Sequence, residues 1–399
     1  MRYFLDNDLY KFTMQNAILH HFPSSFVRYQ FTNRSPEMKF NQDAYADIIH
    51  GIVNMCDVRI TDEELNFLNK RCPYLSEIYL EKLRKFRFDP SDVACYINRN
   101  DELILSISGA WFNTILWEVP LLSIISESYF KNVDNEWNYR DQEQQAREKA
   151  NILNTMLGMW SDFGTRRRRS YISQDMAITG FVRGGEIGNI PSRFFGTSNV
   201  HFAKKHNITA VGTMAHEWIM GVCGINKSNP INANRVALEL WLETYGIKLG
   251  IALTDTYGTD LFFSEFDETL SKIFNGVRHD SGDPLVFVDK VIAHYEKHNI
   301  DPKTKIIVFS DSLNVDKAIT IDKYCWNKIN CSFGIGTNFT NDFKNVNTGK
   351  VSKPLNIVIK LYSINNTTVA KLSDDFRKAT GEQTAINNTL LMVNEIVRK

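Results

Sequence analysis

The sequence predicts an α/β protein in which an N-terminal α+β part is followed by a parallel α/β barrel. At about 150 residues per domain, the 399 residues correspond to roughly two to three domains. Between residues 160 and 340, short apolar runs repeatedly end in clusters of Gly, Ser, Thr and Asp and then pass into helical segments. This rhythm is typical of a parallel sheet, whereas the first third mixes helical periodicity with strict alternation.

The N-terminal part is predicted to contain four helices and three strands. Asp6 or Asn7 caps the first helix, which carries apolar residues along one stripe. Residues 25–33 alternate between apolar and polar side chains, as in a half-buried strand. Thr61 opens a helix with a capping box. The other elements are strands at 93–97 and 103–107 and helices at 42–56, 61–71 and 119–130.

The second part of the chain is predicted to contain seven strand-loop-helix units. Closure into a barrel explains them best, because polar side chains at the ends of the runs then gather at the carboxyl edge of the strands. A doubly wound open sheet is the alternative. The run ends are residues 160–164, 194–197, 210–213, 250–255, 276–280, 306–311 and 332–336.

Two further segments connect these parts. Residues 131–150 are polar and predict a solvated helix that leads into the barrel. Residues 356–372 predict a hairpin that turns near Asn365 and Asn366 and returns to the N-terminal part. The predicted domain bounds are 1–135 with the tail 355–399, and 136–354 for the barrel.

Composition and charge exclude several classes of protein. The 46 Lys and Arg residues balance 46 Asp and Glu residues, so the chain lacks the positive excess that non-specific nucleic-acid binding needs. The uncharged run at 103–117 is too short to span a membrane. The first residues contain no apolar signal-peptide core, so we expect a cytoplasmic protein with reduced thiols.

Several familiar motifs are incomplete or missing. The sequence contains no P-loop and no Gly-x-Ser-x-Gly elbow. Gly334 and Gly336 begin a dinucleotide-binding pattern, but Phe339 stands where the third glycine is needed. His216 is followed by Met220, where a zinc protease has its second histidine.

Polar clusters after the predicted strands supply the candidate functional residues. His216 follows three residues after the strand-end Thr213, and neutral imidazole can accept a phosphoryl group. A core histidine bonded to a carbonyl is the plainer interpretation. Arg278 offers a fork for a carboxylate, and the nearby Asp280 suits sugar hydroxyls or a metal that carries phosphates. A capped turn with a surface ion pair explains the same two residues.

Other strand ends complete a predicted ring of polar residues. Gly336 lies in a glycine-rich turn whose backbone amides can approach a phosphate closely. Of four consecutive arginines, Arg166 is nearest its strand end and is expected to face the pocket, while the others are solvated or ion-paired. Asp255 and residues 310–311 end two more strands. Together these residues indicate a site for anions, a sugar and a planar acid.

Ten motifs occur in order over nearly the whole chain: 6-DNDLYKFTMQ-15, 115-ILWEVPLLSIISE-127, 162-DFGTRRRR-169, 195-FGTSN-199, 212-GTMAHEW-218, 251-IALTD-255, 278-RHDSGDP-284, 309-FSDSLN-314, 333-FGIGT-337 and 353-KPLNIVIKL-361. They resemble those of the nicotinate phosphoribosyltransferase family, in its shorter bacterial form. The resemblance implies a type II phosphoribosyltransferase, in which an irregular, TIM-like α/β barrel is joined to an α+β sandwich built from the N-terminal part and the tail. It also implies a homodimer whose subunits share their sites.

The resemblance further implies a reaction and a set of site residues. Phosphoribosyl is transferred from 5-phosphoribosyl 1-pyrophosphate to nicotinate, coupled to ATP hydrolysis, and gives nicotinate mononucleotide and pyrophosphate. The implied catalytic residues are Asp280, placed for ribose, and His216, which ATP transiently phosphorylates. Tyr10 from the neighbouring subunit and Phe163 are implied to sandwich the pyridine ring, and Asp255 to help hold Mg²⁺ through the pyrophosphate. The implied substrate-binding residues are Tyr10, Phe163, Arg166, Ser198, Thr213, Arg278, Ser310, Asp311, Gly336 and Thr337.

Ser198 bears on the choice between an acid and an amide substrate. In the related nicotinamide enzymes, an aspartate occupies the matching position and can accept a hydrogen bond from the amide. Serine removes a negative charge that would repel a carboxylate, so nicotinate is the predicted substrate. A nicotinamide or quinolinate phosphoribosyltransferase is the alternative.

Overall fold

The structure of the protein is a computed structural model that describes residues 3–184 and 191–397. The helices are α1 (Leu9–His21), α2 (Gln42–Asn54), α3 (Asp62–Arg71), α4 (Glu77–Lys85), α5 (Trp111–Thr114), α6 (Glu118–Asn132), α7 (Gln142–Leu153), α8 (Tyr171–Gly184), α9 (Val200–Lys205), α10 (His216–Ile225), α11 (Ala233–Tyr245), α12 (Thr259–Glu265), α13 (Glu268–Ile273), α14 (Pro284–Lys297), α15 (Val315–Cys325), α16 (Thr337–Thr340) and α17 (Gln383–Val397). The strands are β1 (Phe26–Asn33), β2 (Val93–Ile97), β3 (Leu103–Ala110), β4 (Met159–Asp162), β5 (Phe194–Thr197), β6 (Thr209–Ala210), β7 (Ile251–Leu253), β8 (Gly276–His279), β9 (Ile306–Phe309), β10 (Asn330–Ile335), β11 (Phe343–Lys344), β12 (Val351–Ser352), β13 (Ile357–Ile364) and β14 (Thr367–Thr368).

The first sheet is antiparallel and has the strand order β14-β13-β1-β3-β2. The predicted alternation at 25–33 is confirmed, because every second side chain of β1 is buried. The tail returns to this sheet as β13, which pairs with β1. The predicted hairpin turn is also confirmed, with Asn365 and Asn366 in left-handed backbone at φ 47° and 63°, a conformation that Asn tolerates. The predicted domain bounds stay a prediction.

The predicted N-terminal helices are confirmed, with one correction to a cap. Thr61 and Glu64 form the predicted capping box of α3. The first helix begins at Leu9, and its N-cap residue makes no side-chain capping hydrogen bond. Asp6 instead accepts from a buried arginine, and the side chain of Asn7 donates to a backbone carbonyl. Neither is a cap, because tertiary contacts engage both side chains.

Helices α4, α5 and α17 lie outside the predicted elements. Helix α4 is short and mostly charged, with Tyr79 and Leu83 as its buried residues, so its periodicity is weak. Helix α17 follows the predicted hairpin and packs against α12. Within residues 3–184 and 191–397, no helix combines the length and the apolar character that crossing a membrane requires.

The second sheet is parallel and has the strand order β6-β5-β4-β10-β9-β8-β7. All seven predicted run ends follow or contain one of its strands. The chain runs outward from β4 to β6, crosses to the opposite edge, and returns inward from β7 to β10, which pairs with β4. This strand order is that of a barrel that stays open between its edge strands β6 and β7, an opening that we call the seam. A doubly wound sheet would instead place β7 beside β4. The α/β fold class and the irregular barrel are confirmed.

Helix α1 fills the seam between β6 and β7, where no ladder joins the two described strands. The Thr13 hydroxyl donates to the Thr213 carbonyl at 2.6 Å, and the Leu9 amide donates to the Ser198 carbonyl at 2.8 Å. A Cβ atom on Gly212 would lie 3.1 Å from the Tyr10 nitrogen, so the helix approaches the strand end closely. The N-terminal helix therefore forms part of the barrel wall.

Candidate functional site

A polar cavity of about 780 Å³ lies at the carboxyl ends of β4, β8, β9 and β10. A smaller cavity of about 40 Å³ shares five of its lining residues. The shared residues are Arg166, His216, Arg278, Asp280 and Lys360. The other predicted residues on the large cavity are Phe163, Ser310, Asp311, Gly336 and Thr337.

His216 begins helix α10 and is held by side chains on both ring nitrogens. Its Nδ1 lies 3.0 Å from Thr256 Oγ1, and its Nε2 lies 3.0 Å from Asp280 Oδ2. Burial and the nearby Lys371 lower the pKa of His216 to about 4, against the opposing effect of Asp255 and Asp280. The ring is therefore neutral at pH 7, the form that acts as a nucleophile. The plainer interpretation, a histidine bonded to a carbonyl, is wrong because both partners are side chains.

Asp255 is fully buried beside His216. One of its oxygens, Oδ2, accepts from Ser281 at 2.6 Å, from Ser373 at 3.0 Å and from Lys371 at 3.2 Å. Burial alone would raise the pKa of Asp255, but Lys371 and His216 outweigh it and lower the value to about 2. The carboxylate therefore stays ionised through the physiological range. Its other oxygen, Oδ1, has no hydrogen-bond partner among the described residues.

Asp280 connects His216 to the neighbouring strand end. Its Oδ2 faces His216, and its Oδ1 accepts from Ser310 Oγ at 2.7 Å. Burial opposes ionisation, yet Arg278 and His216 hold the pKa of Asp280 well below its usual value. Asp280 is thus a fixed negative charge at the junction of the two cavities.

Asp255, Asp280 and His216 also form a possible cation site. One ligand atom from each lies within 4.8 Å of the others. The orphaned, buried Oδ1 of Asp255 is an available ligand, and paired carboxylates together with phosphate oxygens suit Mg²⁺. Imidazole is not a ligand that Mg²⁺ prefers. The two carboxylates therefore fit the predicted metal, and His216 is left for other chemistry.

The Arg278 fork is oriented by three neighbours. Its Nε donates to Ser310 Oγ at 3.0 Å, its Nη1 donates to the Met214 carbonyl at 3.1 Å, and its Nη2 lies 3.5 Å from Asp280 Oδ1. Met214 precedes His216 by two residues, so this bond ties β8 to the start of α10. The arginine is preorganised at the edge shared by both cavities.

The four consecutive arginines divide between the cavity and the protein interior. Arg166 lines both cavities and Arg167 lines the large one. Arg168 donates to both carboxylate oxygens of Asp6 at 2.8 Å, and Arg169 is buried with its guanidinium 3.7 Å from the centre of the Phe130 ring. The prediction for Arg166 is confirmed in placement. Arg168 and Arg169 are ion-paired as expected, Arg169 with Asp134 at 3.9 Å, whereas Arg167 faces the cavity and departs from the expectation.

The glycine-rich turn after β10 packs directly against Phe163. A Cβ atom on Gly334 would lie 2.3 Å from the Phe163 ring, and one on Gly336 would lie 3.2 Å from the Phe163 carbonyl. Only glycine at 334 lets the ring come this close, whereas a side chain at 336 would require a shift of a few tenths of an ångström. The aromatic ring and the turn with Thr337 therefore line one wall of the large cavity together.

Two predicted placements differ from the structure. Ser198 lines neither cavity, because its hydroxyl donates to Asp8 at 2.8 Å. Thr213 lines neither cavity, because its segment faces helix α1 at the seam. Tyr10 lines the small cavity of its own chain, and the expected sharing of sites with a neighbouring subunit stays a prediction.

Several cations of the site were not predicted from the sequence. Except for Arg167, which follows β4, the N-terminal part and the tail bring them to the large cavity, where Lys378 contacts Asp311 at 2.5 Å. The motif 353-KPLNIVIKL-361 contains one of these cations, Lys360, and could have pointed to it. Nothing in the motif, however, distinguishes a lysine that faces the cavity from an exposed one. These cations are Arg34, Arg167, Lys360, Lys371, Arg377 and Lys378.

Beneath His216, a buried cluster fixes the first turn of α10. Glu217 accepts from Lys11 and Tyr29 at 2.5 Å and from Trp111 at 2.8 Å. Lys11 also contacts Glu118 at 2.5 Å. Glu217 is therefore neither solvated nor a ligand of the large cavity, and its three donors hold the helix that carries His216.

The site has fixed carboxylates, a neutral histidine and many cations at the carboxyl ends of barrel strands, where barrel enzymes bind their substrates. This arrangement defines an α/β-barrel enzyme with a site for an anionic substrate. Two family models match the chain: the nicotinate phosphoribosyltransferase (NAPRTase) family at residues 159–394 and its N-terminal domain at 5–126. The chain belongs to the nicotinate phosphoribosyltransferase family.

Individual relatives and solved structures agree with this assignment. The nicotinate phosphoribosyltransferase of Methanosarcina mazei is 44% identical, over 96% of this chain and 95% of the relative. A solved structure from Saccharomyces cerevisiae is similar with a TM-score of 0.95 and 38% identity, over 99% of this chain and 98% of that one. The structure of nicotinate phosphoribosyltransferase from Porphyromonas gingivalis gives a TM-score of 0.92 and 37% identity, over 99% and 100%.

Proposed function

We propose that the chain transfers the phosphoribosyl group of 5-phosphoribosyl 1-pyrophosphate to nicotinate, giving nicotinate mononucleotide and pyrophosphate for NAD salvage. The observation that carries the proposal is that His216, Arg278 and the turn at 334–337 line one cavity. These residues come from three distant parts of the chain. Family membership over the full length supports the same reaction.

The proposed coupling to ATP uses His216 as a phosphoryl acceptor. The Nε2 lone pair attacks the γ-phosphorus of ATP, the bond to the bridging oxygen breaks, and ADP leaves. In this step the ring keeps its single proton on Nδ1, which donates to Thr256 Oγ1 at 3.0 Å, so the lone pair of Nε2 is free and no proton has to leave; Asp280, 3.0 Å from Nε2, turns aside as the phosphoryl group arrives. The neutral ring supports this role, since a protonated ring could not attack. Phosphorylation adds negative charge beside the cations of the cavity, which favours a rearrangement of the site.

In the proposed transfer step, the pyridine nitrogen attacks the anomeric carbon as pyrophosphate leaves. The sugar gains positive charge in the transition state, and the ionised Asp280 is placed to stabilise it. Arg34, Arg377 and Lys378, which line the large cavity alone, bind the phosphate oxygens. Mg²⁺ bound by Asp255 and Asp280 would supply further charge neutralisation on the leaving pyrophosphate.

Charge supports nicotinate over nicotinamide as the proposed substrate. Ser198 does not carry this argument, since it lies outside both cavities. Arg166, Arg278 and Lys360 all line the small cavity, and cations there favour a carboxylate over a neutral amide. Comparable turnover of nicotinamide or quinolinate by the purified enzyme would contradict the choice of nicotinate.

The phosphohistidine is tested with the His216→Ala variant. Incubation with ATP labelled on the γ-phosphate is expected to label the wild type in an acid-labile, base-stable form and to leave the variant unlabelled. ATP hydrolysis should be lost, while slow, uncoupled phosphoribosyl transfer remains. The exposed His50 provides the control, as His50→Ala should label normally. Unchanged ATP use in His216→Ala would refute the role.

The assembly and location of the enzyme follow from the same proposal. The residues that line the small cavity belong to one chain, and the predicted homodimer with shared sites stays a prediction. Sedimentation at assay concentration tests it. We place the enzyme in the cytoplasm, because its phosphorylated substrates do not cross membranes.

A further inference from the structure

Lys360 occupies an unusual place in the site. It lies on β13, opposite Gln30 of the central strand β1, and it lines both cavities. Neighbouring residues of β13 supply apolar wall to the small cavity. The lysine therefore stands where the polar cavity meets the apolar pocket.

Lys360 differs from its cationic neighbours in having no ion-pair partner among the described residues. Each of the other three cations of the shared region has a carboxylate within 4.0 Å. Arg166 lies 3.5 Å from Glu118, Arg278 lies 3.5 Å from Asp280, and Lys371 lies 3.2 Å from Asp255. Lys360 thus has an unmatched positive charge that faces the cavities.

The charged groups that line the small cavity, counted together with Lys11, which pairs with two of them, carry one more positive charge than negative charges. Lys11, Arg166, Arg278 and Lys360 supply four positive charges. Glu118, Glu217 and Asp280 supply three negative charges, and His216 is neutral at pH 7. A monocarboxylate restores the balance, whereas a neutral amide leaves it uncorrected and a dicarboxylate exceeds it. Burial makes such a mismatch costly.

The small cavity, at about 40 Å³, is too small for a pyridine ring but has room for its carboxylate, so the ring itself lies on the large-cavity side of the junction. Tyr10 supplies an aromatic face, and Ala215, Met220, Ile359 and Leu361 supply apolar surface. The strand-end loops that carry Gly336 and Asp311 line only the large cavity. A ring acid placed at this junction therefore has its carboxylate near Lys360 and its phosphorylated co-substrate farther along the large cavity.

We propose that Lys360 binds the carboxylate of nicotinate and determines the preference for the acid over the amide. This inference rests on the proposed function and deepens it by naming the residue that selects the pyridine substrate. Charge-assisted hydrogen bonds of this kind are strong when buried. Lys360 touches the substrate but takes no part in bond making, so it sets binding and not the chemical step.

The ionisation of Lys360 supports this placement. Burial, followed by repulsion from Arg166 and Lys371, lowers the pKa of Lys360 to about 8, although Glu118 and Asp280 oppose the shift. The carboxylate of nicotinate stays ionised on both sides of pH 8. Affinity for nicotinate is therefore greatest well below pH 8 and falls as the pH rises through about 8, where Lys360 loses its proton. The charged or titratable groups that face Lys360 are Tyr10, Glu118, Arg166, His216, Glu217, Arg278, Asp280 and Lys371.

The test compares Lys360→Met and Lys360→Arg with the wild type in steady-state kinetics between pH 6.5 and 9.5. Lys360→Met should raise KM for nicotinate about tenfold to a hundredfold, the loss of a hydrogen bond to a charged group, while kcat and KM for the phosphoribosyl donor hold. Its kcat/KM for nicotinamide should not fall. Lys360→Arg should keep the affinity for nicotinate, and that affinity should no longer decline above pH 8. Lys82→Met, at an exposed position, is the matched control.

Several outcomes overturn the inference. An unchanged nicotinate KM in Lys360→Met refutes it, and so does a rise confined to the KM for the phosphoribosyl donor, which would assign the lysine to a phosphate. A decline of nicotinate affinity above pH 8 that persists in Lys360→Arg also refutes the inference. Retention of kcat at saturating nicotinate shows that a variant is folded. Failure of the wild type to use nicotinate at all would instead refute the proposed function.

Discussion

Replacing Lys11 by methionine is expected to destabilise the fold strongly. Lys11 has no solvent exposure, and its ammonium lies 2.5 Å from a carboxylate oxygen of both Glu118 and Glu217. The two carboxylates are themselves almost completely buried. Methionine has similar length but no charge, so the substitution leaves two negative charges in the interior with one cation removed.

The magnitude follows from Glu118. Burial would raise its pKa, but Lys11 first, then Lys360 and Arg166, lower it to about 2. The difference from an ordinary value of about 4.3 corresponds to about 3 kcal/mol of stability. Because the folded pKa is depressed, this stabilisation is complete above pH 4.3 and is lost as the pH falls through about 2. Breaking a buried pair typically costs about 3–5 kcal/mol, which is the expected loss for Lys11→Met at pH 7.

Urea denaturation at pH 7, 5 and 3 measures this loss. The difference between wild type and variant should be largest at pH 7 and should narrow at pH 3. Adding Glu217→Gln to Lys11→Met should recover part of the stability, since it removes one stranded charge. Lys85→Met, on the exposed face of α4, controls for the loss of a lysine. A loss below about 1 kcal/mol, the range of surface pairs, would refute the reasoning.

Three further substitutions have expected outcomes. Gly334→Ala places a Cβ atom 2.3 Å from the Phe163 ring, and the displaced ring should raise KM for nicotinate about tenfold in steady-state assays without changing the circular dichroism spectrum. Arg168→Met strands the buried Asp6 and should cost about 3–5 kcal/mol in thermal denaturation, an effect that Asp6→Asn should relieve. Thr61→Ala removes the α3 capping box and should cost about 1 kcal/mol, with kcat unchanged because α3 lies away from both cavities.

The barrel strands and their site residues could be predicted because local sequence determines them. Asp255 and Asp280 each follow a short apolar run, and the carboxyl ends of parallel strands necessarily share one edge. His216 was placed correctly for the same reason. No long-range information was needed beyond the assumption that the runs form one sheet.

The seam of the barrel could not be predicted in this way. Ser198 and Thr213 also end predicted strands, but their strands lie next to the opening that α1 fills. Their polar groups contact Asp8 and Thr13 of the N-terminal segment instead of the cavity. A strand-end argument assumes a closed barrel, and these two residues lie where the barrel is not closed.

The cations of the tail required the register between distant strands. Lys360 stands in the apolar segment 357–364, where a lysine is ordinarily the solvent-facing residue of a half-buried strand. Its direction is set by the pairing of β13 with β1, which places Lys360 opposite Gln30. The sequence predicts both strands but not the register in which they pair. A change of register by one residue would turn the Lys360 side chain to the opposite face of the sheet.

The two halves of the site therefore have separate structural origins. Barrel strand ends, with Asp280 and the turn at Gly336, supply the groups suited to a phosphorylated sugar. The small cavity depends on α1 for Tyr10 and on β13 for Lys360, and neither element belongs to the barrel sheet. The small cavity also takes Arg166, Arg278 and Asp280 from the strand ends, whereas Lys360 is a charge there that can change without altering those ends. If Lys360 binds the carboxylate as proposed, selection between acid and amide is separable from phosphoribosyl chemistry in this fold.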